Sequence, residues 1–136
     1  AGVCFEDKQF PKSNSFVNGE RQELADVDEF SGRLRAAADA RADDAFVLVA
    51  RTEAFVAGRG LDEALRRADA YWQAGADAIL VHSAREDASE VLAFERAWGD
   101  TLPVIIVPTK YHRTPTEVFR SHGFAAVIWA NHMMRA

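Results

Sequence analysis

Five short apolar runs punctuate the chain, at residues 2–5, 46–50, 78–81, 104–107 and 125–130. Each is rich in Val, Ile, Phe or Ala and apolar throughout, with no alternation of polar positions. Runs of this kind suit strands buried on both faces, as in parallel sheets. Between them the apolar spacing becomes helical. Asp26-Val27-Asp28-Glu29 has the form of a capping box, and Val27, Phe30 and Leu34 follow at helical intervals. Leu61, Leu65, Ala68 and Trp72 make a second stripe, on a helix with Asp62 and Glu63 in its first turn and a stop at Gly75. Asp87-Ala88-Ser89-Glu90 caps a third helix carrying Val91, Phe94 and Trp98. Thr114-Pro115-Thr116-Glu117 opens a fourth, with Pro115 at the first helical position and a stop at Gly123. A last helix can begin near Asn131.

Strand followed by helix, four times over, predicts an α/β fold of parallel strands joined by right-handed crossovers. Two architectures satisfy this: part of a (β/α)₈ TIM-type barrel, or a five-stranded open, doubly wound sheet. Residues 1–136 read as one domain. The polar stretch 8–25 separates the first strand from its helix, and a loop of that length in a compact domain is usually functional, for example a lid.

Composition narrows the function. Hydrophobic residues at 49% and charged residues at 27% describe a soluble globular chain, and no apolar run is long enough to span a membrane. A formal net charge of −5 argues against a nucleic-acid surface. The single cysteine, Cys4, cannot close an internal disulfide. It is expected as a small core residue, and the expected compartment is cytoplasmic. Trp72, Trp98 and Trp129 are expected in core or interface packing.

In both architectures ligands bind beyond the carboxyl ends of the strands. Those ends carry Glu6-Asp7-Lys8, Arg51-Thr52-Glu53, His82-Ser83, Pro108-Thr109-Lys110 and Asn131-His132. Glu6 can hold Mg²⁺ directly or through water. Arg51 offers a planar fork for carboxylate or phosphate. His82 can donate to, or exchange a proton with, an anion. The long loop adds Lys12, Asn14 and Ser15, all donors to oxygen. A small multi-anion with a divalent metal is the implied ligand. Blander readings stand beside these. Glu6-Asp7-Lys8 can be a solvated charge cluster, Arg51 a structural partner of Glu53, His82 a satisfied rim histidine, and Asn14-Ser15 an ordinary turn. His112, His122 and His132 lack metal-ligand spacing, and Gly58-Arg59-Gly60 more simply ends a loop than cradles a phosphate.

The motif Gly2-Val3-Cys4-Phe5-Glu6-Asp7-Lys8, followed by Phe10-Pro11-Lys12-Ser13-Asn14-Ser15-Phe16, resembles the phosphoenolpyruvate mutases of the isocitrate lyase superfamily. The likeness continues through Val49-Ala50-Arg51-Thr52-Glu53-Ala54-Phe55, the Gly75–Ser83 stretch, Val107-Pro108-Thr109-Lys110-Tyr111 and Val127-Ile128-Trp129-Ala130-Asn131-His132. The resemblance implies a (β/α)₈ barrel, matched over about strands four to eight, with the earlier strands and the last helix absent. It implies an isomerase that interconverts phosphoenolpyruvate and phosphonopyruvate in phosphonate biosynthesis. Glu6 would join the acidic set around Mg²⁺, while Arg51 and His82 would contact substrate oxygens. Asn14 and Ser15 would descend with a gating loop that also includes Asp7, Lys8 and Lys12. A small-molecule substrate, no nucleic acid, no membrane and a homo-oligomeric full-length protein are implied as well. Lyases of the superfamily carry a catalytic cysteine in this loop, and Lys12-Ser13-Asn14-Ser15 has no thiol. Phosphonopyruvate hydrolases resemble the chain closely but tend to have Thr where Asn14 stands. A third reading is an inactive barrel fragment.

Overall fold

The computed structural model describes residues 1–130. In chain order the elements are β1 (Gly2–Glu6), α1 (Val27–Asp39), β2 (Val47–Thr52), α2 (Gly60–Gln73), β3 (Ala78–Val81), α3 (Ser89–Trp98), β4 (Val104–Ile106), α4 (Thr116–Ser121) and β5 (Ala126–Val127). Short 3-10 turns occupy Gly19–Arg21 and Gly99–Thr101. The expected last helix, with Asn131 and His132, lies outside the described residues.

The strands form one sheet in the order β1-β2-β3-β4-β5, and every neighbouring pair is parallel. The order never reverses. A doubly wound sheet contains a reversal, so the topology selects the (β/α)₈ barrel arrangement of the two expected. α1 packs on α2 and α2 on α3, as in a barrel's outer ring.

The register decides what each face carries. Glu6 pairs with Arg51, Arg51 with Leu80, Leu80 with Ile105, and Ile105 with Ala126, so these five residues form one row across the sheet. Side chains alternate between faces along a strand. Leu48, Ala50 and Thr52 therefore turn to the helices and are buried, while Val49 and Arg51 turn to the other face, together with Cys4 and Glu6. Cys4 is exposed there, which corrects the expectation of a core residue. The core lies on the helix face, where Leu34, Leu48, Ile79, Val81, Val91, Phe94 and Ile106 are essentially inaccessible.

The helices follow their sequence signals with two corrections. Asp26 caps α1 by accepting from the amides of Asp28 and Glu29, and Glu29 itself pairs with Arg33. The buried face of α2 is Ala64, Arg67, Ala68 and Tyr71, rotated from the expected stripe, and Trp72 is 40% exposed. The rotation brings Arg67 and Tyr71 beneath β1, where Asp7 needs partners. α2 is followed by Gly75 at φ 100°, where an added Cβ would meet Ala38 at 3.0 Å. α4 starts one residue later than expected, with Pro115 in the cap position. β2 runs further than its apolar run, because Arg51 and Thr52 still pair with Leu80 and Val81.

Packing magnitudes separate two phenylalanines. Phe94 is fully buried and Phe10 is 84% exposed. Phe94→Ala should cost about 3–5 kcal/mol of unfolding free energy and Phe10→Ala under about 0.5 kcal/mol, read from urea titrations of the two variants.

Candidate active site

Alternation along β1 and its extension splits Glu6 from Asp7. Glu6 turns to the open face beside Arg51, and Asp7 turns to the helices and is fully buried. There Asp7 accepts from the Glu53 amide at 2.9 Å, the Tyr71 hydroxyl at 2.7 Å and Arg67 Nη1 at 3.2 Å. Burial nevertheless raises its carboxyl above the ordinary range, against these donors. Arg67 also donates to the Ala25 carbonyl at 3.0 Å, so one α2 side chain holds both roots of the long loop. Asp7, grouped above with the gating loop, is thus its fixed root.

Glu53 sits at the centre of the open-face cluster with no solvent exposure. Its Oε2 accepts from Ser15 Oγ at 2.7 Å and lies 3.4 Å from Lys8 Nζ. Its Oε1 accepts from Arg51 Nε at 2.7 Å and lies 2.9 Å from His82 Nδ1. Burial pushes the Glu53 carboxyl up, but the His82 hydrogen bond and charge, Arg51 and Ser15 outweigh it and hold it at about 2. His82 Nδ1 lies 2.9 Å from both Glu53 Oε1 and Arg51 Nη2, and the residue is 4% exposed. Phe16 packs edge-on against this ring at 5.2 Å.

Glu6 is bracketed by cations: Lys12 at 3.1 Å, Arg51 at 3.2 Å and Lys8 at 3.7 Å. A cavity of about 620 Å³ is lined by the charged Glu6, Lys8, Lys12, Arg33 and Arg51 and also by Cys4, Phe5, Phe10 and Phe30. Three cations against the carboxylates of Glu6 and Glu53 leave this corner with an excess of positive charge. Arg51 Nε and Nη2 both face protein partners.

The long loop is folded onto this cluster. Lys8 Nζ donates to the Ser13 carbonyl at 2.9 Å and to Ser15 Oγ at 2.7 Å. Gly19 packs so closely on the following segment that an added Cβ would lie 2.5 Å from Val56 Cγ1. Asn14 is exposed, and its Oδ1 accepts from the Phe16 amide, the local turn chemistry expected of an Asn there.

The structure thus gathers Glu6, Lys8, Lys12, Ser15, Arg51 and His82 into one network and leaves Asn14 on a turn at its edge. Mg²⁺ requires a near-octahedral set of oxygens. Around Glu6 the neighbours are cations, and no group of three or more candidate metal ligands exists among the described residues. The described residues do not make a Mg²⁺ site by themselves. Arg67 was not anticipated; Asp7 was expected only as part of the loop and Glu53 only as a structural partner of Arg51. Glu53 had a signal in its i+2 relation to Arg51, but Arg67 had none in its helix pattern.

The family model described as phosphoenolpyruvate phosphomutase matches residues 1–136. The chain is 57% identical over 136 residues to the phosphoenolpyruvate phosphomutase of Tetrahymena pyriformis, spanning all of this chain and 45% of that protein. The solved phosphoenolpyruvate phosphomutase from Streptomyces platensis subsp. rosaceus superposes with a TM-score of 0.93 at 49% identity, over 98% of this chain and 46% of that one. Phosphonopyruvate hydrolase in complex with oxalate and Mg²⁺ superposes with a TM-score of 0.86 at 41% identity, over 98% of this chain and 45% of that one. The chain therefore spans under half the length of these relatives.

The Glu53 carboxyl moves from an ordinary 4.5 to about 2 on folding, so its contribution of about 3 kcal/mol is present above pH 4.5 and lost as pH falls through 2. Wild type should lose stability across that window with a component of about 1.4 kcal/mol per pH unit from this group. Glu53→Gln should be less stable at pH 7 and lack that component, read from denaturant midpoints at pH 7, 4 and 2.5.

Proposed function

Because this chain belongs to the phosphoenolpyruvate phosphomutase family, we propose that the protein it comes from interconverts phosphoenolpyruvate and phosphonopyruvate. In one direction the bridging P–O bond breaks as a P–C bond forms at the methylene carbon of the enolate. The observation that carries this reading is the excess positive charge around Arg51, Lys8 and Lys12 at a small cavity. A phosphorylated three-carbon acid brings two anionic groups to such a corner.

Transfer of this kind is loose and metaphosphate-like, so positioning and charge stabilisation matter more than a base. Arg51 and His82, both held by Glu53, would contact carboxylate or phosphoryl oxygens of the substrate. The loop brings Ser15 to Arg51 and Glu53 and shields the phosphoryl group from water, which would otherwise intercept it. Asn14, exposed on its turn at the edge of the network, would come down with the loop onto the phosphoryl group. Glu6 is assigned to the acidic side of a Mg²⁺ site that this segment alone does not complete. A relative binds Mg²⁺ in its solved complex, and the ion would supply charge neutralisation at the phosphoryl oxygens. In keeping with the family reading, the whole protein would be a cytoplasmic homo-oligomer serving phosphonate biosynthesis. Among the described residues no helix is long and apolar enough to cross a membrane.

Hydrolysis of phosphonopyruvate is the competing reading, favoured by the likeness to the hydrolase structure. Product analysis of the full-length protein with phosphonopyruvate and Mg²⁺ separates the two. Phosphoenolpyruvate as product supports the mutase; pyruvate plus phosphate refutes it. Arg51→Ala should lower kcat/KM by about 10²–10³-fold. The isolated 136-residue chain should show no conversion.

A further inference from the structure

The two arms of the 8–25 loop are joined by one side chain. Gln22, 7% exposed, uses both ends of its amide. Its Oε1 accepts from the Ser13 amide at 2.6 Å and from Ser13 Oγ at 2.9 Å. Its Nε2 donates to the Gln9 carbonyl at 2.9 Å and to the Glu23 carbonyl at 3.0 Å. These contacts fill the two donor and two acceptor positions of a primary amide. The backbone links between the arms sit at the base, where Lys8 bridges Leu24 and the Gln9 amide donates to the Glu23 carbonyl at 3.0 Å.

What Gln22 grips matters more than how many bonds it makes. Ser13 directly precedes Asn14. Its amide and hydroxyl are held by Gln22, and its carbonyl is held by Lys8 Nζ at 2.9 Å. All three polar groups of Ser13 are therefore fixed, and the turn after it is closed by the Val17 amide on the Asn14 carbonyl at 3.0 Å. Ser13 leads directly into the turn that carries Asn14, while Ser15 is also held by Lys8, Glu53 and Arg51. We propose that Gln22 is a positioning residue: the clasp that fixes Ser13 across the loop's arms and so helps hold the Asn14 turn at the edge of the site and Ser15 against Glu53. The catalytic part of this inference rests on the mutase reading. The clasp itself does not.

The test compares wild type, Gln22→Ala and Gln22→Glu in the full-length protein. Amide hydrogen exchange is followed in the segment 13–17 and in β3. Gln22→Ala should lower protection of 13–17 by about 10- to 100-fold and leave β3 unchanged. Gln22→Glu is isosteric, but its ionised carboxylate faces the carbonyls of Gln9 and Glu23. It should lose protection at pH 7 and regain part of it near pH 4, where a protonated carboxyl again donates, while Gln22→Ala shows no such return. With phosphonopyruvate, Gln22→Ala should lose kcat by about 10- to 100-fold with a smaller change in KM. Unchanged protection of 13–17 overturns the clasp, as does an equal loss in β3. Retained kcat despite lost protection overturns the positioning role. An inactive wild type whose 13–17 protection still falls in Gln22→Ala rejects the mutase reading and keeps the clasp.

Discussion

Glu53 is an ionised carboxylate with no access to solvent, and such a group is tolerated only where donors and cations surround it. The need to satisfy that one charge shapes the candidate site. Two strand-borne groups, Arg51 and His82, meet at Oε1, and two loop-borne groups, Lys8 and Ser15, meet at Oε2. Removing any one leaves a buried charge short of a partner, which costs more than the bond itself. The carboxylate thereby couples the loop's conformation to the orientation of the side chains a ligand would meet.

The coupling reaches into the scaffold. The Glu53 amide is held by Asp7, and Asp7 is held by Arg67 and Tyr71 of α2. Arg67 also holds the far root of the loop at Ala25. One helix thus holds both ends of the loop and, through Asp7, the backbone of the central carboxylate. Groups built on helices and strands keep their geometry better than groups on loops alone. Ser15, the loop's contribution to the network, is therefore held against strand-end residues.

Much of this was legible in the sequence, for identifiable reasons. The continuous apolar runs marked all five strands, although β2 buries mainly its helix-side residues and β1 leaves Cys4 exposed on the other face. Glu6, Arg51 and His82 were legible because strand ends can be counted from those runs. Cys4 misled because an apolar run does not say which face of a strand is covered. The buried face of α2 misled because Arg67 looks like a surface residue until Asp7 supplies its partner from sixty positions earlier. Gln22 was invisible for a similar reason: a polar residue in a polar loop has no pattern until the arms close. The order of strands, which selected the barrel, is a long-range property that local spacing does not contain.

The central claim is that loop and strand side chains are energetically joined through Glu53. A double-mutant cycle on Lys8→Met and Glu53→Gln measures that link directly, with unfolding free energy as the readout. The account predicts that the paired variant departs from the sum of the single losses by about 1–3 kcal/mol. Additivity within about 0.5 kcal/mol would contradict it, because Lys8 and Glu53 would then stabilise the fold independently.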